Sequence, residues 1–133
     1  MKGSCLCGAC AYEVKALVTP ISHCACQTCR KAHAAAFNTS SGVLPEDFAW
    51  LRGSEHLHYY ESSPGKKRYF CRECGTHLVA IKEGAPYYVL RLGSLDDDPE
   101  QRPQRFIWTS HEAPWMYYQG ALQRFDEWAP KPK

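Results

Sequence analysis

Apolar and polar positions alternate in short stretches along most of the chain, and helical periodicity is scarce. AYEV, residues 11–14, alternates and runs toward a turn at Thr19-Pro20. HLHYYES, residues 56–62, is aromatic and alternating, and SPGKKR, residues 63–68, follows with Pro-Gly turn punctuation. RYF then leads into CRECG, and THLVAI, residues 76–81, resumes a strand. PYYVLRLGSL, residues 86–95, has the β-branched and aromatic content of another strand, and RFIWTS, residues 105–110, is a further one.

Helix is expected at two places only. CRKAHAAAF, residues 29–37, holds helix formers for about two turns without an N-cap box. LPEDF, residues 44–48, reads as one turn with proline near its start. Many short strands with turn signals between them predict a mainly β domain, two sheets packed face to face.

The length of 133 residues suits one domain, and the 44% apolar content suits one packed core. The expected boundaries are residues 1–128 for the domain and 129–133, rich in Pro and Lys, for a frayed tail. A net charge of +2 without a basic run gives no case for nucleic acid as a partner. The start of the chain lacks the apolar stretch of a secretory signal, and no run approaches the roughly 18 apolar residues of a membrane span. The expectation is a cytoplasmic protein, in which thiols stay reduced and clustered cysteines bind metal.

The eight cysteines carry the chemistry. CLCGAC, beginning at Cys5, and CACQTC, beginning at Cys24, share the spacing C-x-C-x-x-C, and CREC adds Cys71 and Cys74. Zinc takes four tetrahedral donors and binds cysteine as thiolate. C-x-x-C followed by glycine is a tight metal-binding turn, with Gly75 supplying the positive φ that ends it. Its partner pair is either Cys5 with Cys7 or two of Cys24, Cys26 and Cys29. The glycine after Cys7 mirrors Gly75 and favours the first choice, which makes a closed structural site. Cys24, Cys26 and Cys29 then form a set of three with an open fourth position, the pattern of a catalytic zinc. Cys10 either closes that second site or is a small buried hydrophobe on the strand, and the second reading is preferred.

GSCLCGACAYEV, HCACQTCRK, YFCRECGTHL, LGSLDDDP and APWMYY, in this order, resemble the glutathione-dependent formaldehyde-activating enzyme family over roughly residues 3 to 128. The resemblance implies a two-sheet β-tent fold with two Zn2+ ions per chain. It implies Cys5, Cys7, Cys71 and Cys74 as structural ligands and Cys24, Cys26 and Cys29 as catalytic ones. It also implies a carbon–sulfur lyase that adds a thiol, glutathione, reversibly to an aldehyde, formaldehyde. Two positions depart from the family pattern: Cys10 stands where an aliphatic residue is usual, and Ala34 where glycine is usual. The alternative is a non-catalytic zinc module that binds protein or nucleic acid, since the resemblance extends to centromere protein V.

His23, beside Cys24, is the candidate for relaying the proton to the forming alkoxide; alternation on a strand equally allows it to face away. His77 is expected to pack or hydrogen-bond beside the structural site, and His33 to be exposed on the short helix. LDDDP, residues 95–99, reads as a solvated turn with Asp capping. GKKR, residues 65–68, reads as a solvated hairpin tip rather than a grip for substrate carboxylates. Trp108, Trp115, Tyr117 and Tyr118 read as packing residues.

Overall fold

The computed structural model describes residues 1–117 and 120–131. Its ten strands are β1 (Lys2–Ser4), β2 (Ala11–Val14), β3 (Ser22–Cys24), β4 (Asn38–Val43), β5 (Phe48–Arg52), β6 (Leu57–Ser63), β7 (Lys66–Cys71), β8 (His77–Lys82), β9 (Tyr88–Arg91) and β10 (Arg105–Ile107). Helix α1 (Gln27–His33) lies between β3 and β4, and the remaining helical pieces are single 3-10 turns. The strands form a small sheet, β1-β2-β5, and a seven-stranded sheet, β10-β3-β4-β9-β8-β7-β6. The two-sheet β domain expected from alternation is therefore present.

The core lies between the sheets. Tyr12, Val14, Val43, Leu78 and Leu90 are all fully buried there, joined by Cys5, Cys10 and Cys71. Alternation in β2 explains one wall: Tyr12 and Val14 point inward, and Glu13 between them is exposed. Tyr12 stacks on Phe48 at 5.4 Å and meets Trp50 edge-on at 6.1 Å, both from β5. Its hydroxyl hydrogen-bonds the Ser94 hydroxyl at 2.7 Å, and burial pushes its pKa up to about 12.

Register on the large sheet decides what the other face carries. Cys24 pairs with Asn38, Ser40 with Arg91, Val89 with Ala80, and Ala80 with Arg68. Directly opposed residues share a face, so Cys24, Asn38, Ser40, Arg91 and Arg68 all stand on the side away from the small sheet.

Several local expectations are revised. The turn after β6 is only Pro64 and Gly65, so Lys66 to Arg68 belong to β7 and are not a hairpin tip. A two-residue loop suffices to reverse an antiparallel pair. Strand β9 ends at Arg91, and a 3-10 turn takes over from Leu92. Helix α1 starts two residues earlier than expected, because the Cys26 sulfur accepts the Cys29 backbone N–H and caps it.

The helix ends at Ala34, in left-handed conformation at φ 47°, with its N–H bonded back to Arg30 and Lys31 carbonyls. This is a glycine position occupied by alanine. Ala34→Gly is expected to stabilise the protein by about 1 kcal/mol through relief of the Cβ strain. Urea unfolding checks it, and unchanged or lower stability would contradict the strain.

Candidate metal centres and the cavity beside one of them

Two cysteine groups assemble, and in each the sulfurs lie within 4.8 Å of one another. Cys5 and Cys7 come from the turn between β1 and β2, and Cys71 and Cys74 from the end of β7 and the turn after it. Both turns end on a glycine in left-handed conformation, the first closed over three residues and the second over four. Gly8 N–H bonds the Cys5 carbonyl at 2.9 Å and Gly75 N–H the Cys71 carbonyl at 2.8 Å, with φ of +78° and +79° at the two glycines. The Cys5–Cys7 and Cys7–Cys71 sulfurs are 3.6 and 3.9 Å apart. A tetrahedral zinc with Zn–S bonds near 2.3 Å needs sulfurs about 3.8 Å apart. The group can therefore hold a metal, and its four donors leave no position free.

The thiols there are already prepared for ligation. The Cys10 backbone N–H donates to Cys5 Sγ at 3.2 Å, and Thr76 Oγ1 lies 3.3 Å from Cys74 Sγ. Burial opposes ionisation of Cys74, but its contacts with Thr76 and Cys7 outweigh it and hold the thiol at about 6.

Cys24, Cys26 and Cys29 form the second group, from the end of β3 and the first turn of α1. Among the described residues no fourth Cys, His, Asp or Glu joins them. Burial first, then the neighbouring thiols, pushes Cys24 up to about 12. Burial also opposes ionisation of Cys26, yet the Cys29 N–H, the adjacent thiols and Arg68 hold it below its usual value. Three soft donors crowded this closely suit a thiophilic divalent cation.

Cys10 belongs to neither group. It is fully buried, its S–H donates to the Gly53 carbonyl at 3.3 Å, and burial raises its pKa to about 12. It is the buried small residue expected of it.

The set of three opens on a cavity of about 240 Å³. Lys66, Arg68, Arg91 and Arg105 line it, and among the described residues no carboxylate does. Arg68 and Arg91 are 4% and 5% exposed, and neither forms an ion pair with Asp or Glu among the described residues. Arg68 donates to Ser62 Oγ at 2.8 Å and reaches within 4.0 Å of Cys29 Sγ. Burial and the Arg68 charge lower Arg91 to about 10, which leaves it a cation at neutral pH. Burial, with Arg68 and Arg91 beside it, also draws Lys66 below its ordinary value.

Asn38 lines the same cavity, is 5% exposed, and has a side-chain Nδ2 with no partner. Sequence reasoning missed Asn38, Arg91 and Arg105. The signal for Arg91 was present: it is a charged residue at the end of the otherwise apolar β9, and period two places it with Val89. Lys66 and Arg68, read as a solvated tip, instead face the cavity.

The structure does not bring His23 to this cavity. Alternation in β3 puts it on the opposite face from Cys24, where its Nδ1 hydrogen-bonds Thr39 Oγ1 at 2.8 Å and its ring packs on Phe37 and Phe106. His33 is half-buried rather than exposed, because the last turn of α1 lays it 4.7 Å from the His77 ring. Burial and then the Arg91 charge hold His33 down at about 3, and burial lowers His77 as well. Both are neutral, and His77 packs against Phe70 as expected of it.

Asp96 and Asp97 accept hydrogen bonds from Ser4 Oγ and the Lys2 N–H, so the acidic turn caps β1. Trp108, Trp115 and Tyr117 are exposed rather than packed, on the stretch that follows the last strand. Trp108 sits at the cavity wall against His111 at 4.8 Å, and Tyr118 lies outside the described residues. No helix among the described residues is long and apolar enough to cross a membrane.

The family model described as glutathione-dependent formaldehyde-activating enzyme matches residues 1–111. A Podospora anserina protein, provisionally named as such an enzyme, is 35% identical over 91 residues, 65% of this chain. The matched stretch spans 42% of that relative's length. A crystal structure of a Rhodobacter sphaeroides protein superposes with a TM-score of 0.65 at 26% identity, over 80% of this chain and 99% of the other.

Proposed function

The chain belongs to the glutathione-dependent formaldehyde-activating enzyme family, and on that premise we propose that it joins a thiol and a small aldehyde reversibly into the S-hydroxymethyl adduct. Glutathione and formaldehyde are the pair named for the family. In reaction class this is a carbon–sulfur lyase. Cys24, Cys26 and Cys29 would hold a zinc ion, and Cys5, Cys7, Cys71 and Cys74 would hold a second that only braces the fold.

The observation that carries this reading is a three-thiol set to which no other described side chain adds a fourth ligand, facing a cavity that contains two buried guanidiniums without carboxylate partners among the described residues. Zinc held there supplies a Lewis-acidic position at which a thiol is kept as thiolate near neutral pH. Three thiolates and a divalent cation leave one negative charge, and an incoming thiolate adds a second. Arg68 and Arg91 supply the two positive charges that offset them. A buried guanidinium without a counter-charge costs several kcal/mol, so these two arginines fit a site designed to receive an anion.

The sulfur lone pair forms the new C–S bond, the carbonyl π pair moves onto oxygen, and that oxygen takes up a proton. The thiol's own proton balances the step, and no redox cofactor is needed. Asn38 Nδ2 supplies a donor for the developing negative oxygen. A binding module that uses zinc only as a brace would need neither an open position nor the buried cations.

Exchange NMR of glutathione mixed with formaldehyde tests this. Zinc-loaded protein is expected to accelerate interconversion of the free thiol and its adduct, and Asn38→Ala to slow that rate about a hundredfold with metal content unchanged. No acceleration with glutathione or any of several other thiols would remove the enzyme reading.

A further inference from the structure

Resting on the open-metal reading above, we infer that the preferred thiol is an anionic one, carrying carboxylates close to its sulfur and no ammonium group. Arg68 and Arg91 are matched in charge once a thiolate occupies the site. Lys66 and Arg105 are then left over at the wall of the same cavity, and no Asp or Glu lines it among the described residues.

Arg105 is held toward this space. Its Nε donates to Ser22 Oγ at 2.7 Å, and Ser22 is a buried lining residue on the strand next to β10. Parallel pairing sets Arg105 beside Ser22 and Ile107 beside Cys24, so one face of β10 reaches from the mouth of the cavity to the three-cysteine group. Lys66 opens β7 on the other side, two residues before Arg68 and on the same face. The unmatched cations thus flank the sulfur position from opposite walls.

Charge complementarity follows. Carboxylates extending from the sulfur toward either wall meet a cation, whereas an ammonium at the same place meets only cations and no acceptor of opposite charge. A compact dicarboxylate thiol satisfies both walls, a neutral thiol satisfies neither, and an aminothiol is repelled. Glutathione, with two carboxylates and one ammonium, falls between these limits.

Cobalt(II)-loaded protein provides the measurement, through the thiolate-to-cobalt charge-transfer band as each thiol is titrated in. Mercaptosuccinate is expected to bind about a hundredfold more tightly than 2-mercaptoethanol, with 3-mercaptopropionate between them and cysteamine weakest. Arg105→Met, at an exposed position, is expected to cut the mercaptosuccinate preference about tenfold, and 0.5 M salt to shrink it as well. Equal binding of mercaptosuccinate and cysteamine would overturn the inference and leave the open metal site intact. A band that no thiol perturbs would overturn both.

Discussion

Cys71→Ser is expected to leave the protein unfolded. Cys71 is fully buried at the end of β7, and its sulfur sits 3.9 Å from that of Cys7, 64 residues away in sequence. The group it belongs to ties the turn after β1 to the turn after β7, and so ties the small sheet to the large one. Metal ligation by such a group contributes on the order of 10–16 kcal/mol, comparable to or larger than the roughly 5–15 kcal/mol net stability of a whole domain. Serine presents a harder, less acidic oxygen, and the remaining three thiols would hold the metal far less firmly. Circular dichroism during heating should show no cooperative transition, and metal analysis should show the bracing zinc lost. A variant that melts cooperatively near the parent temperature with both metals bound would contradict the bracing role.

Cys26→Ser should have the opposite signature: a folded protein with no activity. Cys26 caps α1 through its sulfur, which accepts the Cys29 N–H at 3.3 Å. Serine is a stronger N-cap than cysteine, so the helix keeps its start. What is lost is one of only three donors, in a set to which no other described side chain adds a fourth. Bound zinc is expected to fall from two per chain to one, and the rate of adduct formation by about a thousandfold or more. Near-normal turnover, or loss of the fold, would show that the two cysteine groups have been assigned to the wrong tasks.

The contrast between the two variants rests on where each group is anchored. Cys5 and Cys71 lie in the core cluster, Cys74 packs against it and Cys7 stands exposed beside them, whereas the second group lies at the wall of a cavity. A metal at the first holds distant segments together. A metal at the second is held by one short stretch of chain, residues 24–29, whose local conformation is already supported by β3 and α1.

The strands that were legible in the sequence are those with apolar or aromatic alternation, such as β6 and β8. Strand β4 was not, although it is central to the large sheet. Its residues, NTSSGV, have poor strand propensity. It is a strand because β3 and β9 pair with it on both sides, and its polar residues Asn38 and Ser40 are there to line the cavity. A centrally placed strand that faces a polar cavity is the case in which propensity and burial part company. His23 is the reverse case: it stands next to Cys24 in sequence, and the pleat turns it to the other side.

The local clusters of thiols were legible in the sequence, because metal-ligand spacing is local; which pair joins Cys71 and Cys74 was favoured by the following glycine and implied by the family resemblance, and the fold brings Cys5 and Cys7 to them. Two cysteines and a following glycine specify a turn whether or not the rest of the fold is known, and Gly8 and Gly75 adopt the positive φ that those turns require. The electrical character of the cavity was decided only by tertiary structure. Arg68 on β7 and Arg91 on β9 are separated by β8, and Arg105 lies on the far edge of the sheet beside β3. Whether such residues face one another depends on strand order and register, since a slip of one residue turns a side chain to the other face. No local pattern encodes that, and it is the reason four scattered cations converge on three neighbouring sulfurs.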